Sequence, residues 1–200
     1  MKNTGWLIAA VIAILVLFST YVAGNKNKEE ESKLMSGKHN VLITVKDYGN
    51  IKLELDADMA PITVTNFINL VNSKFYDGLT FHRIIDGFMI QGGDPEGNGT
   101  GGSDTTIKGE FSSNGVENTI SHVRGVISMA RSGHPDSASS QFFIVHEDAK
   151  YLDGSYAAFG KVIEGMEVVD KIAKDAEPTD DNGTIPKSAQ PVIEKIVVLN

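Results

Sequence analysis

Two short stretches near residues 40 and 50 alternate strictly between apolar and polar side chains. Their apolar positions are Val41, Ile43, Val45, Ile51, Leu53 and Leu55. A period of two predicts β-strands with one buried face. Tyr48, Gly49 and Asn50 lie between the two stretches and favour a turn. The pattern therefore predicts a β-hairpin.

The spacing of apolar residues changes to three and four residues after Pro61. The apolar stripe that follows comprises Val64, Phe67, Ile68 and Val71. This period is typical of a helix with one buried face, and proline suits a first helical position because no donor is needed there. A second, shorter helix is predicted from Met166 to Ala173.

Short apolar runs occupy the rest of the chain, separated by loops rich in Gly, Ser and Asp. They lie at 126–130, 141–145, 157–163 and 192–199. Many short strands with only two helices favour a closed β-barrel with helical caps over a parallel α/β sheet. We therefore expect a mainly β domain.

The N-terminal segment has a different character. Residues 5–24 form a nearly unbroken apolar stretch of 20 residues, which as a helix would span about 30 Å, the hydrocarbon thickness of a bilayer. It is longer than most signal-peptide cores, although Val22-Ala23-Gly24 offers small residues for cleavage. The segment 1–24 is thus interpreted as a signal anchor or a signal peptide. A buried helix of a soluble core is a third interpretation.

The polar segment that follows divides the chain. Residues 25–38 are charge-dense and without apolar period, which predicts a flexible linker, and the folded domain is expected at 39–200. Lys2 favours an N-terminus inside the cell. We expect a single-pass protein of the cell membrane with its domain outside the cytoplasm, or a secreted protein after cleavage.

Composition excludes several classes of function. The chain has a formal net charge of −8. Its first 37 residues hold four Lys and three Glu, so the remainder has 14 basic and 23 acidic side chains, a net of −9. Such a domain gains no affinity for a phosphate backbone, so nucleic acid is not an expected partner. Cysteine is absent, which excludes disulfides, Cys-based metal sites and a thiol nucleophile.

Two apparent motifs lack the structural context that their function requires, and two others are absent. The run 97–102 matches G-x-G-x-x-G, but no predicted strand precedes it and no helix follows, so it predicts a tight loop. The run 180–183 resembles part of a calcium loop, yet the first ligand position would be Pro178. No histidines stand four residues apart, and no G-x-S-x-G occurs. We expect neither a cofactor nor a metal, nor nucleophilic catalysis.

Two segments carry a far more specific indication of function. Residues 81–94 read FHRIIDGFMIQGGD, and residues 125–162 contain SMARSGHPDSASSQFFI followed by YLDGSYAAFGKV. Both closely resemble the signature blocks of cyclophilins, and the resemblance extends from about His39 to the end of the chain. It implies an eight-stranded antiparallel β-barrel capped by two α-helices. It also implies a peptidyl-prolyl cis-trans isomerase, similar to bacterial members, acting on Xaa-Pro bonds.

The resemblance also implies roles for individual residues. Arg83 matches the catalytic position, where a guanidinium donates a hydrogen bond to the prolyl nitrogen as the amide twists. Gln91 matches a residue that binds substrate backbone, whereas His82 matches a position that we interpret as structural. The proline pocket is matched by Phe88, Met89, Phe143 and Leu152. Further groove positions are matched by Gly99, Ala130, Arg131 and Gln141.

Three positions depart from patterns common in the family. Tyr151 stands where eukaryotic members often have Trp, and Tyr156 stands where many have His. Both are expected in the substrate-binding groove, but loss of the indole donor predicts weak binding of cyclosporin. Arg131 replaces a common Asn, and its charge favours substrates with acidic neighbours.

Two classes of function follow from these residues. The first is an isomerase that assists the folding of exported proteins. The alternative is a non-catalytic proline-peptide binding module or holdase chaperone using the same groove. Either would take proline-containing unfolded or partly folded polypeptides as partners, contact a membrane through its N-terminal segment, and act as a monomer. Arg83 favours the enzyme, because binding alone needs no donor at the prolyl nitrogen.

Overall fold

The computed structural model describes residues 34–199. The predicted apolar helix at 5–24 lies outside this range. Within it, no helix has the length and apolar character needed to cross a bilayer. The first strand begins at Lys38, which the sequence analysis places at the end of the linker. Just before it, the backbone N–H of Met35 donates to Thr65 Oγ1 at 2.8 Å.

Eight strands and two α-helices follow in chain order. The strands are β1 (Lys38–Val45), β2 (Gly49–Asp56), β3 (Thr80–Ile85), β4 (Met89–Asp94), β5 (Val126–Met129), β6 (Phe142–Val145), β7 (Ala158–Glu164) and β8 (Ile193–Val198). The helices are α1 (Pro61–Asn72) and α2 (Met166–Asp175). The predicted hairpin, both helices and the mainly β character are therefore confirmed.

The strands form one antiparallel sheet in the order β3-β4-β6-β5-β7-β2-β1-β8. The prediction of a closed barrel is wrong in one respect, because β3 and β8 do not form a continuous ladder. Thr80 of β3 instead forms an isolated bridge with Val192, the residue before β8. Beyond it, the edge of β3 is occupied by the loop at 183–185, whose Gly183 carbonyl accepts the Ile84 N–H at 2.8 Å. The sheet is thus curled and only partly closed.

The inside of the curled sheet is filled by aromatic and aliphatic side chains. Phe67 of α1 packs against Tyr76, Phe142 and Phe159 with ring centroids 5.0 to 5.5 Å apart. The N-terminus of α1 is capped from a distant loop, since the Glu110 carboxylate accepts the Thr63 N–H at 2.8 Å. This contact satisfies a backbone donor that the helix itself cannot pair.

The α2 helix is oriented by the turn that precedes it. Gly165 has φ +88°, a left-handed conformation that suits glycine, and a Cβ there would collide with the Asn50 carbonyl oxygen. Val168, Val169 and Ile172 then face the core. The helix is consequently held against the end of β2.

A second apolar cluster covers the opposite face of the sheet. All four residues of β5 and of β6 are buried, because these central strands are covered on both faces. Phe142 faces the main core, whereas Phe143 belongs to the second cluster. The members of that cluster are Met89, Val126, Phe143, Val145, Ala149 and Ala158. This outer cluster is the floor of the candidate site.

Candidate active site

The site is a surface groove of about 430 Å³ that lies over the outer apolar cluster. This groove is lined by most of the site residues that the resemblance to cyclophilins implied, although they come from distant parts of the chain. These are Arg83, Phe88, Met89, Gln91, Gly99, Ala130, Arg131, Phe143, Leu152 and Tyr156. Gln141 lines an adjoining cavity that shares Gln91 and Gly99 with the groove. Tyr151 stands at the rim, 73% exposed, with its ring 5.9 Å from that of Phe88.

Strand register explains why these residues meet. Arg83 on β3 is paired with Gln91 on β4, and Gln91 is paired in turn with Phe143 on β6. Residues directly opposite each other in a sheet project their side chains to the same face. The pairing continues from Phe143 to Ser128 on β5. A single row across four strands thus places a cation, an amide and an aromatic ring side by side.

The Arg83 guanidinium is held by protein groups on two of its three nitrogens. Nε donates to the Asn182 carbonyl oxygen at 2.7 Å, and Nη1 donates to Gln91 Oε1 at 3.1 Å. Within residues 34–199, Nη2 has no protein acceptor. Burial lowers the pKa of Arg83 below its ordinary value, but that ordinary value is so high that the group stays cationic at any working pH. The structure therefore presents one oriented, charged donor beside the groove.

Gln91 belongs to a chain of side-chain amides. Its Nε2 donates to Gln141 Oε1 at 2.9 Å, and Gln141 Nε2 donates to the Gly101 carbonyl oxygen at 2.7 Å. This chain links Arg83 to the glycine-rich loop. Gln91 consequently orients Arg83, and it keeps a second amide proton and a second lone pair for a ligand.

The glycine-rich loop is shaped by a buried carboxylate. Asp94 accepts the backbone N–H groups of Glu96, Asn98 and Gly99 at 2.8, 3.0 and 2.6 Å. These hydrogen bonds lower the pKa of Asp94 although burial acts to raise it. A Cβ on Gly101 would collide with this carboxylate. The glycines at 97–102 therefore allow a tight loop at the groove edge, as the sequence predicted.

The apolar end of the groove is rigidly packed. Phe143 is only 5% exposed, and its ring meets that of Tyr156 edge to face at 5.9 Å. The His122 ring stacks with that of Phe143 at a centroid distance of 6.0 Å and an interplanar angle of 17°. Aromatic surfaces fixed in this way suit a flat, apolar ligand ring.

A buried hydrogen-bonded chain supports this end, and sequence reasoning missed it. His122 Nδ1 lies 2.8 Å from Asp153 Oδ1, and His122 Nε2 lies 3.0 Å from Ser128 Oγ. Burial lowers the pKa of His122 from 6.5, so the neutral ring is favoured. The order Ser-His-Asp resembles a catalytic triad, but Ser128 is fully buried and no substrate can reach it. The Ser128–His122–Asp153 hydrogen bonds instead stabilise the position of Phe143 and of the turn that carries Leu152.

Five further groove residues were not among the predicted site residues. They are His82, Asn98, Thr100, Asn182 and Thr184. His82, interpreted as structural, is 3% exposed, and neither ring nitrogen has a hydrogen-bond partner within the described chain. Burial lowers its pKa from 6.5. The polar turn at 180–183 was the only sequence signal for Asn182 and Thr184, and a turn alone does not indicate where it packs.

Arg131 is engaged mainly with the protein. Its guanidinium carbon lies 5.1 Å from the Phe111 ring centre and 4.8 Å from that of Tyr156. Nε donates to the Ser155 carbonyl oxygen at 2.9 Å. Arg131 therefore fixes Tyr156 at the groove edge, and its expected preference for acidic neighbours stays a prediction.

Comparison with known proteins identifies relatives along the whole described domain. The family described as cyclophilin type peptidyl-prolyl cis-trans isomerase/CLD matches residues 40–198. Peptidyl-prolyl cis-trans isomerase A of Dickeya dadantii is 41% identical over 179 residues, covering 84% of each chain. Peptidyl-prolyl cis-trans isomerase B of Bacillus subtilis is 50% identical over 123 residues, covering 62% of this chain and 82% of that protein.

Solved structures show the same relationship. A cyclophilin type peptidyl-prolyl cis-trans isomerase of Cryptosporidium parvum, crystallised in the presence of the dipeptide Ala-Pro, superposes with a TM-score of 0.70. It is 32% identical and the match covers 80% of this chain and 99% of that one.

Proposed function

Because this chain belongs to the family of cyclophilin-type peptidyl-prolyl cis-trans isomerases and is an enzyme of that type, we propose that its groove is the catalytic site and that Arg83 is the catalytic group. The observation that carries this proposal is that Arg83, with its Nη2 unshared, lines a groove that also has an apolar and aromatic wall.

The chemistry required is modest. Rotation about an Xaa-Pro bond is opposed by amide resonance, with a barrier of about 18–20 kcal/mol. When the bond twists, conjugation is lost and the prolyl nitrogen gains a usable lone pair. A donor placed to bind that nitrogen binds the twisted state better than either planar isomer, and so lowers the barrier. No covalent intermediate is needed.

The groove can hold one side of the bond while the other side turns. Phe143, Met89 and Leu152 provide an apolar recess for the proline ring, and Phe143 stands in the same cross-strand row as Arg83, two strands away. The Cryptosporidium parvum relative was crystallised in the presence of Ala-Pro, which supports a proline-containing peptide as the ligand here. Phe88 and Tyr156 are assigned to the walls of this recess.

The site assignment is tested by nuclear magnetic resonance with a short Xaa-Pro peptide. We expect exchange cross-peaks between cis and trans peptide that depend on the protein, and amide shifts confined to the strands and loops that line the groove. Exchange accompanied by shifts only on the opposite, core-side helices would place catalysis elsewhere.

We further propose that the enzyme assists the folding of exported proteins from a membrane-bound position. The support is the apolar stretch at 5–24 with Lys2 before it and a polar segment after it. A linker of about 14 residues reaches roughly 20 Å, enough to present the domain to emerging chains. A secreted form after cleavage is the alternative. Protease added to intact cells should digest the domain, and protection until lysis would reverse this orientation.

A further inference from the structure

His146 lies immediately after β6, outside the groove, and joins three parts of the fold. It is only 5% exposed. Its neighbours are the β3–β4 turn, helix α2 and the segment that carries Arg124. None of these contacts was expected from the sequence, and the groove chemistry described above does not use the imidazole.

His146 forms two hydrogen bonds with the β3–β4 turn. Its backbone N–H donates to the Phe88 carbonyl oxygen at 2.8 Å. The Gly87 N–H donates to His146 Nδ1 at 3.0 Å. A ring nitrogen that accepts a hydrogen bond carries no proton. Nδ1 is therefore unprotonated, and the ring is the neutral tautomer with its proton on Nε2.

The other side of the ring agrees with this tautomer. His146 Nε2 lies 3.1 Å from Asp170 Oδ1 on α2, where the Nε2–H can donate to the carboxylate. Arg124 Nη2 donates to Asp170 Oδ2 at 2.8 Å, and Arg124 Nη1 donates to the His146 carbonyl oxygen at 2.8 Å. The ring is thus held in one orientation by a network anchored on α2.

The β3–β4 turn, to which His146 is hydrogen-bonded, carries residues that line the groove. The Phe88 ring lies 6.0 Å from the Arg83 guanidinium carbon and 5.9 Å from the Tyr151 ring. Met89 follows, and its sulfur lies 3.9 Å from Arg83 Nη1. A displacement of the turn would therefore move one wall of the groove and a neighbour of the catalytic cation together.

We propose that His146 is a positioning residue for the isomerase: its neutral Nε2–H form holds the Gly87–Phe88 turn in the substrate-binding geometry, and protonation of Nδ1 breaks the hydrogen bond from Gly87, rearranges the turn and weakens substrate binding. This inference rests on the proposed function of the groove. A second proton would turn Nδ1 into a donor, which can no longer accept the Gly87 N–H but can donate to Asp86 Oδ1, 3.3 Å away.

Charges of both signs surround this ring. Asp86 on the turn and Asp170 on α2 favour the protonated form. Arg124 opposes it, as does Lys174 on α2, which lines a shallow surface cavity together with His146 and Asp170. Glu147 lies 3.8 Å from Arg124 and weakens that opposition.

Two substitutions in the full chain separate the roles of the two ring nitrogens. The amide of His146→Asn reaches the position of Nδ1 and can accept the Gly87 N–H without titrating. The longer amide of His146→Gln reaches toward Nε2 and leaves the Gly87 N–H unpaired. His39→Asn on β1, which does not line the groove, is the matched control for loss of a histidine.

The readouts are KM and kcat for a short Xaa-Pro peptide across pH, together with the nitrogen-15 shifts of the His146 ring. We expect the wild-type KM to rise about threefold to tenfold between about pH 7.5 and 5.5, the effect of losing one hydrogen bond, with little change in kcat. His146→Gln should show the raised KM throughout, and His146→Asn should recover most of it and lose the pH dependence. The ring shifts should report the Nε2–H tautomer.

An Nδ1–H tautomer at neutral pH would overturn the proposal, as would identical pH profiles of KM for wild type and His146→Asn. Equal loss of stability and activity in both variants, with no recovery by Asn, would also refute it and leave His146 as ordinary packing. Failure of the wild type to isomerise the peptide would instead refute the assignment of the groove. The tautomer measurement does not depend on activity and decides the role of His146 in that case too.

Discussion

Replacement of Arg83 tests the proposed mechanism most directly. Arg83→Ala removes the only guanidinium nitrogen in the groove row that is left unshared, while Gln91 and Asn182 lose a partner each but can bind water at the groove surface. A hydrogen bond from a charged donor contributes about 1.5–3 kcal/mol. At about 1.4 kcal/mol per factor of ten, its loss from the transition state lowers kcat/KM about tenfold to a hundredfold.

Arg83→Lys separates the charge from the geometry. A lysine ammonium keeps the charge but is a compact donor without the planar fork. All its protons leave from one nitrogen, so it does not reproduce the separate Nε and Nη1 contacts with Asn182 and Gln91 that orient the donor. We therefore expect Arg83→Lys to recover only a small part of the lost activity. Lys195→Ala, which removes an exposed cation on β8, controls for the change in net charge.

The assay is protease-coupled isomerisation of a short Xaa-Pro peptide, with thermal unfolding measured for every variant. A folded Arg83→Ala enzyme whose kcat/KM stays within about twofold of wild type would remove Arg83 from the mechanism. A loss shared equally by Lys195→Ala would show that overall charge, and not the placed donor, is responsible.

The remaining predictions concern the pocket, the drug site, the fold and pH. Phe143→Ala should weaken peptide binding in calorimetry and lower the free energy of unfolding by about 3–4 kcal/mol, because a buried ring is lost; unchanged binding would place the groove wrongly. Tyr151→Trp should lower the inhibition constant of cyclosporin by adding an N–H donor, and equal constants would contradict this. Gly165→Ala should lower the melting temperature, since φ is +88° and a Cβ would strike a carbonyl oxygen of β2. Burial lowers the folded-state pKa of His82 and His122, so the unfolded chain binds protons at a higher pH than the folded one does. The free energy of unfolding should therefore decline as the pH falls below 6.5. A urea midpoint that does not change across that range would refute this.

Local structure was readable from the sequence because its causes are local. The period-two pattern of Val41, Ile43 and Val45 determined which face of β1 is buried, and all three are at most 1% exposed. Pro61 at a first helical position and the stripe ending at Val71 likewise determined α1. The resemblance to cyclophilins supplied the groove residues, and the structure brings nearly all of them together.

Tertiary structure decided the contacts that make these residues work. Arg83 is oriented by the Asn182 carbonyl, 99 residues away, and His146 by Asp170 on helix α2, which follows the next strand, β7. The same loop that reaches Arg83 displaces β8 from the edge of β3 and leaves the barrel partly open. Periodicity states which side of an element is apolar, but not which distant loop will supply a partner for its polar atoms. That choice follows from strand register and chain path, and these are settled only when the whole sheet curls around its core.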